Sequence, residues 1–113
     1  MNRPLPLPNN QKLLITFRVE AGCLGPEGHL LIVDFCRFAQ VQFQQFCSDF
    51  IVWDITPRDD KALPELQYSL MNKKLSHKQA QQYLLKLGKD LDDLEGDIYD
   101  KLEAQINDYM SSK

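Results

Sequence analysis

Along residues 12–20 (KLLITFRVE) apolar and polar positions alternate. Leu13, Ile15, Phe17 and Val19 point one way, and Leu14, Thr16, Arg18 and Glu20 the other. That is the period of a strand with one wet face. Residues 50–56 (FIVWDIT) repeat it, with Ile51, Trp53 and Ile55 opposed by Val52, Asp54 and Thr56. Between the two strands the period changes. Ile32, Phe35, Cys36, Ala39, Phe43 and Phe46 fall at helical spacing, which predicts one buried face of a long helix. Gly25-Pro26-Glu27 offers that helix a start, because proline suits the first turn and an acid complements the dipole. The run HLLIVDF (29–35) also reads as a strand in a hairpin with the first, since short β-branched apolar runs suit either period.

After the second strand, Pro57 cannot donate a ladder hydrogen bond and predicts the strand's end. Pro64 predicts the start of a short helix through Asn72, with Leu66, Leu70 and Met71 on its apolar side. SHKQ (76–79) is a capping box: the Ser76 hydroxyl caps, and Gln79 reaches back. Ala80, Tyr83, Leu84 and Leu87 form the next buried stripe, and Gly88 is a natural stop. A last helix is predicted from Lys89 to Met110 on a narrow stripe of Leu91, Leu94, Ile98, Leu102, Ile106 and Tyr109. The expected architecture is α+β: a two-stranded sheet in a β-α-β unit, then two or three helices, all on one face of the sheet. Residues 12–110 form one domain. Residues 1–11, with Pro4, Pro6 and Pro8, are expected to be a flexible tail. RPLPLP misses a P-x-x-P ligand because Asn9 stands three after Pro6.

A two-stranded sheet is marginal in water and leaves two open edges. The expectation is therefore a two-fold homodimer. It would form by pairing edges into four strands or by packing the C-terminal stripes together.

The charge of −3 over 113 residues argues against nucleic acid, whose binders present cations to phosphates. Residues 1–75 balance at eight cations and eight acids; residues 76–113 carry five against eight. The N-terminus has no apolar core of a secretory signal, and LLIV is far short of a membrane span of about 20 residues. A cytoplasmic protein without a membrane partner is expected. Cys23, Cys36 and Cys47 contain no C-x-x-C pair, which fits reduced thiols. With His29 and His77 they match no zinc spacing, so no metal or other cofactor is read here.

Each remaining motif has a plain structural account. GCLGPEG spaces its glycines as G-x-x-G-x-x-G, lacks the lysine of a phosphate loop, and places Glu27 where an anion would sit. It is a turn. Cys23 lies in that turn, and a thiol near a helix N-terminus can become nucleophilic. Such a thiol needs a base, and His29 begins the helix body. KDLDDLEGDIYD (89–100) fails the calcium loop, because Gly96 at its sixth position puts Leu91 at its first. Residues 55–76 hold the best ligand set: the cations Arg58, Lys61, Lys73 and Lys74, with Glu65 and Tyr68 as hydrogen-bonding groups. Against it stands pairing within the protein, with Arg58 or Lys61 expected on acids of the 90–100 region.

VEAGCLGPEGHLLIVDFCRFAQ and WDITPRDDKALPELQYSLMNKKLSHKQAQQYL together resemble a family of small uncharacterised gamma-proteobacterial proteins, over residues 19–84. The resemblance implies a bacterial cytoplasmic setting and carries over no functional residue. Three functions remain. The first is a non-enzymatic protein-interaction module, acting as a homodimer with a protein partner of unknown kind. The second is a binder of a small anionic ligand on Arg58, Lys61, Glu65, Tyr68, Lys73 and Lys74. The third is a thiol enzyme built on Cys23.

Overall fold

In a computed structural model that describes residues 4–112, the first strand sits inside the sheet. β1 (Leu13–Val19) pairs in parallel with β2 (Ile51–Pro57), from Leu13↔Ile51 to Val19↔Pro57. On its other side it pairs antiparallel with β3 (Leu66–Leu70), with Ile15 opposite Tyr68. β3 turns into β4 (Lys73–Leu75), and the order across the sheet is β2-β1-β3-β4. The fold is α+β, with four strands where two were expected.

The extra strands replace the short helix expected over 64–72. Leu66, Tyr68 and Leu70 also alternate, and that period wins because β1 has a free edge to fill. Met71 and Asn72 both take positive φ, 51° and 66°, the geometry of a two-residue hairpin turn. Met71 consequently stands in solvent rather than on an apolar helix face.

The helical period wins between β1 and β2. α1 (Gly28–Phe43) buries Ile32, Phe35, Cys36, Ala39 and Phe43, so the hairpin reading of residues 29–35 does not hold. A parallel pair needs such a crossover. Gly28 lets α1 start close to the preceding turn: a Cβ there would lie 1.8 Å from the Ala21 carbonyl oxygen. Gly25 has φ 91°, open to glycine at little cost.

α2 (His77–Leu85) opens on the expected capping box, with both Ser76–Gln79 hydrogen bonds formed. It closes on Gly88 at φ 75°, where the Lys89 N–H reaches Leu84 O and the Gly88 N–H reaches Leu85 O. That is a Schellman stop. α3 (Leu91–Ser111) is capped by Asp90 and buries Leu91, Leu94, Ile98, Leu102 and Tyr109 against this chain's own core. The core lies between the helices and the inward side chains Leu13, Ile15, Phe17, Val19, Ile51, Trp53, Ile55 and Tyr68. Trp53 stacks on Phe46 and donates its indole N–H to Phe46 O. The opposite face, with Arg18, Val52, Asp54 and Gln67, is wet.

Of the segment expected to be a flexible tail, residues 1–3 lie outside the described residues. The rest is docked. Leu7 is buried and its N–H meets Asp49 O at 2.8 Å, while Gln11 O accepts the Tyr83 hydroxyl.

Two glycines test these packing claims in opposite directions. Gly28→Ala must move backbone, and is expected to lose about 3 kcal/mol. Gly96 sits mid-helix with nothing within 4 Å of a built Cβ, so Gly96→Ala should gain up to about 1 kcal/mol. Urea unfolding of both variants reads the two signs; a neutral Gly28→Ala would refute the close approach.

Candidate functional site

The six ligand-binding candidates do not form one site. Arg58 follows β2, and the parallel register that pairs Val19 with Pro57 brings it beside Glu20. Its guanidinium bonds the Glu20 carboxylate and donates to Lys61 O at 3.2 Å and Leu63 O at 3.1 Å. It therefore clamps the 58–63 loop onto the end of β1. Lys61 lies 3.9 Å from the other Glu20 oxygen and is exposed. Pairing within the protein occurs, but the acid is Glu20 and not one from residues 90–100.

Lys73 and Lys74 lie elsewhere. They begin β4 past the hairpin turn, opposite Leu70 and Ser69. Arg58 is held near the other end of β3, where Arg18 N–H bonds Glu65 O. Four residue steps along β3 separate those ends, about 13 Å. Both lysines are exposed on an edge strand, a placement that discourages sheet extension.

Glu65 and Tyr68 face α3. The Tyr99 hydroxyl donates to Glu65 Oε1 at 2.7 Å, and the Tyr68 hydroxyl donates to Glu95 Oε2. Burial first, then the carboxylate partner, pushes both phenols well above their ordinary value. Glu95 Oε1 lies 3.3 Å from His77 Nε2, and Asp92 Oδ1 lies 3.9 Å from the same nitrogen. From the sequence, His77 is weighed only for zinc spacing with the cysteines, and Asp92, Glu95 and Tyr99 only within the 89–100 run. Asp92 and Glu95 sit three apart on α3, and the capping box puts His77 first in α2. Those are local signals; their meeting is made by the packing of α2 on α3.

Cys23 is exposed. Burial of its thiol, then the Glu65 and Glu20 charges, raise its pKa, opposite to what a nucleophile at neutral pH needs. His29 is exposed at the start of α1, and among the described residues no hydrogen bond joins it to Cys23. Cys36 is buried on α1, and burial pushes its thiol up to about 12.

A groove of about 480 Å³ lies along the outer edge of β2, lined by Val33, Cys36, Arg37 and Gln40 of α1 and by Asp54, Ile55 and Pro57. Gln40 spans the strand edge itself: its amide donates to Trp53 O at 2.9 Å and accepts the Ile55 N–H at 2.7 Å. Arg37 and Asp54 line this groove without an ion pair among the described residues. No described helix is long and apolar enough to cross a membrane.

The Arg58 clamp predicts unequal mutants. Arg58→Ala removes charge-assisted bonds at a partly buried site and should lose about 1.5–3 kcal/mol. Lys61→Ala removes one exposed, long pair and should change stability by about 0–1 kcal/mol. Chemical denaturation measures both, and equal effects would contradict the clamp.

The thiols and phenols predict alkaline sensitivity. A group whose folded pKa is raised stabilises the fold below its unfolded value, and that contribution is lost as pH rises through the folded one. For Cys36 the window runs from 9.0 to about 12, and Tyr68 and Tyr99 act in the same direction. Thermal midpoints should hold below pH ~9 and fall above it. Cys23 should alkylate slowly at neutral pH; a fast reaction lost in Cys23→Ser would restore the nucleophile.

Compared with protein-family profiles, with curated proteins and with solved structures, the chain matches none.

Proposed function

We propose that this chain is a non-enzymatic interaction module of the cytoplasm that associates with a second copy of itself through α1 and the outer edge of β2. One observation carries the reading. The solvent face of α1 presents Leu30, Val33 and Val41, exposed by 72%, 55% and 61%, alongside the groove walled by Arg37 and Asp54.

These positions follow helical spacing, so they line up over about 16 Å of helix. Aligned exposed apolar side chains of this kind mark association surfaces more often than scattered ones do. The charges favour a second copy as the occupant. A two-fold axis makes each patch face its own equivalent. Arg37 of one copy would then meet Asp54 of the other, and each copy holds both halves of the pair. Neither half forms an ion pair within its own chain among the described residues.

The route differs from the two expected from the sequence. Edge pairing into four strands has no role, because one chain already supplies four. The α3 stripe is buried within its own chain. At the middle of the β2 edge, Gln40 occupies two of the backbone groups that a further strand would need, Trp53 O and the Ile55 N–H. Association would therefore be helix against helix, with the β2 edge as a flank.

Sedimentation at high micromolar concentration should give twice the chain mass for the wild type and the chain mass for Leu30→Glu/Val33→Glu. Both positions are exposed, so the double variant should melt as the wild type does. A monomeric wild type overturns the proposal. A double variant that remains dimeric moves the interface elsewhere.

A further inference from the structure

α2 and α3 bring His77, Asp92 and Glu95 together, although the two acids lie 15 and 18 positions beyond His77 along the chain. One ligand atom from each of the three lies within 4.8 Å of the others. We propose that these three side chains bind a divalent first-row transition-metal cation such as zinc.

Distance is the first argument. Tetrahedral zinc with bonds of about 2.0–2.1 Å separates neighbouring donors by about 3.4 Å. The histidine-to-Glu95 separation is 3.3 Å and the histidine-to-Asp92 separation is 3.9 Å. Asp92 is the most exposed of the three and is free to close the difference by a side-chain rotation.

Donor chemistry is the second. One imidazole nitrogen with two carboxylate oxygens suits zinc and its neighbours, whereas magnesium and calcium prefer oxygen alone. Three protein donors leave a fourth position for water, facing solvent.

The third argument is the support around Glu95. Its Oε2 accepts the hydroxyl of the buried Tyr68, which fixes the carboxylate and leaves Oε1 turned to His77. A held outer oxygen is the usual second layer of a metal carboxylate. The Tyr68 ring also meets the His77 ring edge-on, with centroids 6.3 Å apart. Glu95 is only one-quarter exposed, and among the described residues no lysine or arginine pairs with it or with Asp92. Two carboxylates with no lysine or arginine beside them leave negative charge that a cation would offset.

The backbone is set for it. His77 is held at the first position of α2 by the Ser76–Gln79 box, and the Asp90 cap fixes the turn of α3 that carries Asp92 and Glu95. The site lies on the α2–α3 side, built from none of the α1 and β2 residues proposed for association.

The test is calorimetric titration of the chelator-stripped chain with zinc chloride alone, at about pH 7.5. One equivalent should bind, and backbone amide shifts should concentrate at residues 76–78 and 91–96. His77→Ala and, separately, Asp92→Asn should each weaken binding by about tenfold or more. Both side chains are exposed, so neither change should alter the melting temperature of the metal-free chain. Cys23→Ser should bind as the wild type does. Absence of binding overturns the proposal. So does binding that survives both ligand variants, or binding that disappears in Cys23→Ser, which would assign the metal to the thiol.

Discussion

β1 is the element on which the rest depends. Its inward side chains Leu13, Ile15, Phe17 and Val19 are all but completely buried, and both of its edges are paired. A strand in that position fixes three things together. It needs a parallel neighbour, which demands the α1 crossover. It needs an antiparallel neighbour, which turns the 66–75 segment into a hairpin. It also brings the ends of β1 and β2 side by side, so that Glu20 meets Arg58. Burial supplies the driving force at about 25 cal/mol per Å² of apolar surface removed from water, and the ladders satisfy the backbone that burial would otherwise leave unpaired.

What could be read from the sequence was local. The alternation in β1 and β2, the stripe of α1, the Ser76 box and the Gly88 stop each lie within a few turns of chain, and each has its expected form except that Phe46 falls beyond the end of α1 and Thr16 is buried. The segment 64–75 is where local reading failed. Leu66 and Leu70 satisfy a helix, while Leu66, Tyr68 and Leu70 satisfy a strand. Nothing within the segment separates the two. The vacant edge of β1, about 50 residues earlier, decides it. Reading the sheet as two strands also left the far side of β1 looking open, where β3 in fact pairs.

The candidate residues divide in the same way. Of the cations in the 58–74 stretch, Arg58 and Lys61 have an acid beside them, while Lys73 and Lys74 stand exposed on β4. For the first two the acid was sought in the acidic C-terminal third, since composition is all a linear reading offers. The parallel register gives a nearer one: Val19 opposite Pro57 puts Glu20 next to Arg58. The His77, Asp92 and Glu95 cluster needed the α2–α3 crossing, which no spacing along the chain encodes. Glu65 and Tyr68 were chosen as ligand groups and instead became anchors of α3, each joined to it through a tyrosine–carboxylate hydrogen bond.

The two sheet edges are guarded in different ways. β4 is three residues long and begins with Lys73-Lys74, so its edge is short and charged. β2 is seven residues long, β-branched at Ile51, Val52, Ile55 and Thr56, and without protection would be a template for another strand. Gln40 removes that hazard at the middle of the strand by supplying one donor and one acceptor, as a neighbouring strand would. The amide comes from α1, so protecting the edge also fixes how α1 lies against β2. Two turns back along the same helix, Val33 lines the groove that results. The contact that covers the middle of the β2 edge thus also shapes the groove beside it, so one side chain sets both the exposed backbone and the surface flanking it.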